Sequence, residues 1–222
     1  MIRRTMPDTA RQRVARCSAG AMGEGVPVRP GFRYTTFTIP NQITFVRTIV
    51  SCVISVLVLS DVVPHDDRTE WMVAAFAIYW AGDSLDGLVA RLLDQETRGG
   101  ALLDTLCDRF CICLAVAGAT VVLQPPVVPV LLYLFNFMVL DFWLSLRFVD
   151  FAIDTNNRFY EVDRTVYRFN WSPFAKTVNS AAVCLLALFG PWWVSTPFLL
   201  ALVAVKAWSW SRLRAGQVLT PA

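Results

Sequence analysis

Asp83-Ser84-Leu85-Asp86-Gly87-Leu88-Val89-Ala90-Arg91, followed after eight residues by Gly100-Ala101-Leu102-Leu103-Asp104-Thr105-Leu106-Cys107-Asp108, sets four carboxylates into otherwise apolar sequence. At the centre of a lipid-spanning helix an Asp costs about 2.5–3.5 kcal/mol on insertion scales, so intramembrane acids face a partner or a water-filled cavity. On an α-helix Asp83, Asp86, Gly87, Ala90 and Arg91 stand at i, i+3, i+4, i+7 and i+8, which is one face. Gly100, Asp104 and Asp108 stand at i, i+4 and i+8 and make a second stripe. The polar turn at 94–99 joins the two helices, so they lie antiparallel and the stripes can converge.

The residue types on these stripes suit phosphoryl chemistry. Hard carboxylate oxygens favour Mg²⁺ or Mn²⁺, and two metals held by shared carboxylates can clamp a pyrophosphate. Gly87, Ala90 and Gly100 leave room for a bulky ligand against the helix backbones. Arg91 offers a planar, bidentate donor to phosphate that a lysine does not. A buried salt-bridge cluster with Arg91 and Arg109 is the structural alternative, but two arginines cannot neutralise four acids.

Composition places this motif in a membrane. The chain has 222 residues, 55% of them hydrophobic, eight tryptophans and a mean hydropathy of +0.49, values foreign to an ordinary soluble domain. Six apolar stretches run at about 41–60, 71–92, 101–123, 127–149, 173–190 and 192–212, most of them near the roughly 20 residues a spanning helix needs. The expected fold is an all-α integral membrane protein of six transmembrane helices with an N-terminal cytoplasmic arm. Residues 1–38 form the arm, 39–214 the six-helix domain and 215–222 a C-terminal tail.

Charge sets the orientation. Residues 1–38 carry seven arginines against Asp8 and Glu24, whereas the first outer loop holds Asp61, Asp66, Asp67 and Glu70 beside a lone Arg68. With both termini inside, Arg68 is the only one of 20 basic residues on the outer side, which supports an even number of spans. Both carboxylate stripes then lie in the cytoplasmic half. The 1–38 segment lacks an apolar run of signal-peptide length and reads as an arm on anionic headgroups. Arginines that merely fix topology, a start at Met6 or Met22, and a transit peptide are its other readings.

Cysteine and histidine narrow the chemistry. Of the six cysteines, at 17, 52, 107, 111, 113 and 184, none forms Cys-x-x-Cys and five lie in expected spans, where Cys is a small apolar residue. His65, the single histidine, belongs to the acidic outer loop. Proton transfer in the carboxylate site therefore falls to a carboxylate or another group. Trp171, Trp192, Trp193, Trp208 and Trp210 sit near span ends and read as an interfacial belt.

The pattern Asp83-x₂-Asp86-Gly87-x₂-Ala90-Arg91-x₈-Gly100-x₃-Asp104-x₃-Asp108 resembles the complete signature of the CDP-alcohol phosphotransferases, integral membrane enzymes of phospholipid synthesis. The approach Ile39-Pro40-Asn41-Gln42-Ile43-Thr44-Phe45-Val46-Arg47 is similar to the Pro-Asn-x-x-Thr entry of many members. The resemblance implies that Asp83, Asp86 and Asp104 bind one metal and that Asp83, Asp104 and Asp108 serve a second. It further implies that Asp108 is the catalytic base. Asn41, Gln42, Ile43, Thr44, Gly87, Ala90, Arg91, Thr97 and Gly100 would hold the CDP-lipid. CDP-diacylglycerol is the implied donor, with CDP-choline, CDP-ethanolamine or another CDP-alcohol, as some members use, the alternative; CMP is the leaving group and a homodimer the implied assembly in a bacterial cell membrane. No nucleic-acid partner is implied.

The acceptor is read from a basic set on the cytoplasmic side: Arg147, Arg158, Arg164, Arg168 and Lys176. Such a set suits a small phosphorylated alcohol. Lys176-Thr177 resembles phosphatidylglycerophosphate synthases, while Asp104-x₂-Cys107-Asp108-Arg109 resembles phosphatidylinositol phosphate synthases, so glycerol 3-phosphate and inositol phosphate both stand. Positive-inside topology, with pairing to Asp150, Asp154, Glu161 and Asp163, is the competing reading of the arginines. Asp141 and Lys206 are further intramembrane ionisable residues that line the cavity or pair. Two other classes also place acids in membrane helices. A transporter gives no reason for Gly87, Ala90, Arg91 and Gly100 at fixed spacing, and a prenyltransferase is expected to show two separated Asp-rich motifs and more spans.

Overall fold

Thr38 starts the first helix by accepting a hydrogen bond from the Asn41 backbone N–H at 3.4 Å, with Pro40 in the first turn where its missing N–H costs nothing. In the computed structural model the described residues are 37–151, 153 and 155–218. The expectations for the 1–38 arm therefore lie almost wholly outside the described residues, as does the end of the tail. Helix α1 (Ile39–Leu59) is followed by α2 (Arg68–Leu92) and α3 (Arg98–Leu123). Then come α4 (Val127–Phe135), a π turn (Asn136–Asp141) and α5 (Phe142–Leu146), which together cross as one span. The next span combines α6 (Arg164–Asn170), α7 (Pro173–Thr177), a second π turn (Val178–Ala182) and α8 (Val183–Phe189). Helix α9 (Trp192–Val218) is the last.

Six spans long and apolar enough to cross a membrane result, and no strand occurs among the described residues. Only 22–44% of each span's most apolar window is buried within the bundle. Val46, Val53, Val73, Phe110 and Phe189 point outward. In a water-soluble protein that surface would drive aggregation; in lipid it is the solvent-facing side.

Helix α1 packs against both α2 and α3. Its buried face is a polar stripe, Asn41, Thr44, Arg47, Ser51 and Ser55, rather than an apolar one. Small residues permit the close approach: Ser51 Oγ donates to the Ala75 carbonyl at 3.1 Å, and a Cβ on Gly118 would stand 2.7 Å from Met72 Sδ. Val58, Ala75, Cys111, Ile112, Ala115, Tyr133 and Val183 fill the centre of the bundle. A smaller apolar cluster, Phe148, Phe159, Val166, Trp171 and Leu213, lies at the end that holds the motif.

The fifth span begins earlier than expected. Asp163 caps α6 by accepting from the Thr165 and Val166 N–H groups at 2.8 and 3.1 Å, so the helix starts at Arg164 rather than near 173. The expected 150–171 loop instead carries a 3₁₀ turn (Asn156–Glu161) and α6. Trp171 also departs from the belt reading: it is buried and stacks on Phe159 with ring centroids 4.0 Å apart. Trp192 and Trp193 are exposed, as the belt requires.

Candidate active site

Two turns bring the motif together. Asp94, at φ 51°, reverses the chain after α2, and Thr97 caps α3 by accepting from Gly100 N–H at 2.9 Å. The Gln95 side chain ties this turn to α1 by accepting from Ile39 N–H at 3.2 Å. The two acidic stripes meet as the spacing predicted: Asp83, Asp104 and Asp108 each present a carboxylate oxygen, all within 4.8 Å of one another.

Asp86 is held apart from that trio. It is buried, and its Oδ2 accepts from Thr44 Oγ1 at 2.7 Å and from Arg47 Nε at 2.9 Å. Arg47 is the cation that sequence reasoning missed. Its Nη2 also reaches Asp104 Oδ1 at 2.6 Å, Asp108 Oδ1 at 3.0 Å and Asp83 Oδ1 at 3.5 Å. A signal existed, since Arg47 stands three residues after Thr44 and four before Ser51 on the polar stripe of α1. The alternative cluster built on Arg91 and Arg109 is corrected accordingly. Arg109 turns to Asp141 at 2.7 Å, with its guanidinium 3.8 Å above the Phe137 ring, and Arg91 lines a neighbouring cavity.

One guanidinium among four carboxylates leaves the cluster formally negative. The donors that converge are all hard oxygens, and Asp83, Asp104 and Asp108 remain partly open to solvent. This donor set fits a divalent cation such as Mg²⁺ or Mn²⁺.

Two cavities flank the carboxylates. Asn41, Thr44, Gly87, Ala90, Arg91, Thr97 and Gly100 all line the first. Gln42 and Ile43 do not: each helical residue turns the chain by about 100°, so only Asn41 and Thr44 of that tetrad share the inward face. The glycines divide the work. A Cβ on Gly87 would meet nothing nearer than Arg91 Nη1 at 3.4 Å, so this position opens into the cavity. A Cβ on Gly100 would fall 2.7 Å from Asn41 Oδ1, so that glycine admits Asn41 rather than a ligand.

The second cavity is lined by Tyr79, Asp83, Asp108, Arg109 and Asp141, among others, and shares Asp104, Thr105, Asn156 and Lys176 with the first. Both π turns border it, through Phe137 and Asp141 on one and Asn179 and Ser180 on the other. Extra-residue turns of this kind re-aim side chains that a regular helix would direct elsewhere. Lys176 reaches the shared edge, donating to Asn157 Oδ1 at 2.7 Å.

The remaining acceptor candidates are not brought to the carboxylates. Arg147 pairs with Asp150 at 2.6 Å and lies over the Trp210 ring. Arg158, Arg164 and Arg168 are exposed and line neither cavity. His65 stands at the far end of the bundle, eighteen residues before Asp83, or roughly 27 Å along the helix axis. The five described cysteines are free.

The family model described as CDP-alcohol phosphatidyltransferase matches residues 37–210. No curated protein and no solved structure matches the chain.

Proposed function

The chain belongs to the CDP-alcohol phosphatidyltransferase family, and from that premise we propose that it moves a phosphatidyl group from CDP-diacylglycerol to the hydroxyl of a small phosphorylated alcohol, glycerol 3-phosphate or an inositol phosphate. The observation that carries this reading is the meeting of two cavities at the carboxylates, one with small residues and Arg91, the other with Arg109 and Lys176. A two-substrate transfer needs such a pair of sites opening on one reacting centre.

In this reading the first cavity takes the CDP-lipid. Gly87 and Ala90 let the nucleotide lie against α2, Arg91 meets its phosphate charge, and Asn41 with Thr97 presents polar groups from α1 and the α3 cap. The second cavity takes the acceptor, with Lys176 at the shared edge as the cation for its phosphate. Asp83, Asp86 and Asp104 would hold one metal and Asp83, Asp104 and Asp108 a second. Bound Mg²⁺ or Mn²⁺ would neutralise charge on the pyrophosphate oxygens. Asp108 accepts the acceptor hydroxyl's proton. The oxygen then forms a bond to the phosphorus bearing the diacylglycerol, and the bond to the CMP phosphate breaks, its electron pair leaving with CMP.

The excess of basic residues at the end holding the motif supports a cytoplasmic active site, and the family premise extends to a homodimer in a bacterial cell membrane. Purified protein in nanodiscs with CDP-diacylglycerol and Mg²⁺ tests the reaction, CMP release being followed against glycerol 3-phosphate, inositol 1-phosphate, inositol and serine. Release with a phosphorylated acceptor, abolished by Asp108→Asn, is expected. Release with serine or free inositol alone would overturn the acceptor class.

A further inference from the structure

Arg47 touches all four motif carboxylates, but its two arms meet different surroundings. The Nε arm binds Asp86, whose side chain is 5% exposed and already held by Thr44. The Nη2 arm binds Asp83, Asp104 and Asp108, whose side chains are 43, 39 and 20% exposed. Those three are the set whose oxygens converge within 4.8 Å.

The surrounding helices are shaped to hold this guanidinium. A Cβ on Gly82 would stand 2.6 Å from Arg47 Cδ, so the glycine makes the channel through which the side chain crosses from α1 to the acids. Tyr79 lies beneath, with Arg47 Cζ 5.5 Å from its ring centroid. Arg47 itself is 3% exposed, and its Nη1 is buried without a hydrogen-bond partner among the described residues. A buried cation with an unsatisfied donor is costly unless its charge is needed there. Three converged carboxylates with no cation would repel one another. A guanidinium supplies the charge at every pH the fold survives, because it does not deprotonate.

We propose that Arg47 is a positioning residue with two duties: its Nε arm orients Asp86 through Oδ2, while its Nη2 arm is a placeholder that keeps Asp83, Asp104 and Asp108 converged and yields them to an arriving divalent cation. The inference rests on reading this trio as a cation site. It separates this chain from sites whose ligands assemble only around the ion. It also predicts that Arg47 competes with the metal for the same oxygens instead of assisting its binding.

The test uses the full chain in detergent, stripped with EDTA and titrated with Mn²⁺ alone, free Mn²⁺ being followed by electron paramagnetic resonance and thermal unfolding measured in parallel. Arg47→Gln is expected to bind Mn²⁺ more tightly than wild type, on the order of tenfold. Its unfolding midpoint in EDTA is expected to fall and to recover with Mn²⁺, while the wild-type midpoint moves much less. Unchanged or weaker Mn²⁺ affinity in the variant overturns the inference alone, as does a variant equally stable in EDTA. No Mn²⁺ bound by either protein overturns the metal reading and this inference together. Isolation of Arg47→Gln only with Mn²⁺ present is itself the expected dependence, and adding Asp104→Asn should then make it isolable in EDTA. Failure of both variants to fold with or without metal overturns the placeholder.

Discussion

Lys206 Nζ donates to Asp141 Oδ1 at 2.5 Å, joining the last helix to the π turn of the fourth span. Asp141 Oδ2 simultaneously accepts from Arg109 at 2.7 Å, so one carboxylate serves two cations inside the bundle. The Lys206 and Arg109 side chains are only 1% and 9% exposed. Removing the acid strands both charges, whereas removing Lys206 leaves an acid–arginine pair. Asp141→Asn should therefore destabilise by about 3–5 kcal/mol and Lys206→Met by clearly less. Unfolding in mixed micelles would measure the order, and a larger loss for Lys206→Met would contradict this account of the triad.

Arg98 fixes the floor of the first cavity. Its guanidinium donates to the carbonyls of Phe148, Phe151 and Ile153 at 3.2, 2.7 and 3.1 Å, holding the segment that delivers Thr155, Asn156 and Asn157 to the cavity wall. Arg98→Ala should cost about 1–3 kcal/mol through the carbonyls it strands. Limited proteolysis is expected to cut this variant between 148 and 157 faster than wild type.

Asp163 links stability to pH. Burial would raise its carboxyl, but hydrogen bonds from Arg212 at 2.6 Å and from the Val166 and Thr165 N–H groups hold it below the usual carboxylate range. A depressed folded value means that the stabilisation is fully present above the unfolded pKa, about 3.9, and is lost as pH falls through the folded one. Arg212 is 46% exposed, so the ion pair is screened and the cap is the larger part. Asp163→Ala should cost about 1 kcal/mol at pH 7. The gap between the two thermal midpoints should stay constant down to about pH 5 and close below about pH 4.

Gly87 and Gly100 separate a position open to the first cavity from a packing contact. Alanine at Gly100 must displace Asn41 or Thr97, whose oxygens would lie 2.7 and 2.9 Å from the new carbon, and should cost about 1–3 kcal/mol. Alanine at Gly87 projects toward Arg91 and the cavity, so the thermal midpoint should hold while KM for the CDP-lipid rises. Equal midpoint losses in the two variants would count against the assignment of the first cavity to the donor.

What the sequence settled follows from local periodicity. Apolar runs near 20 residues give six spans, and intervals of three and four put Asp83 with Asp86 and Asp104 with Asp108 on single faces, because both properties depend only on helix geometry. Periodicity did not group Asn41, Thr44 and Thr97 with Gly87, Ala90, Arg91 and Gly100; the family resemblance did, and all seven line one cavity. Partner choice across helices depends instead on which faces pack. Arg47 meets the acids because α1 packs against both α2 and α3, and Arg109 is drawn to Asp141 by a π turn that no interval in the sequence announces. Trp171 is likewise buried by the early start of α6, whereas Arg147 pairs with Asp150 at i, i+3, the local contact the sequence already offered as the competing reading. Charges within a few ångströms on separate helices find their partners through tertiary packing, and that distance information is absent from the one-dimensional pattern.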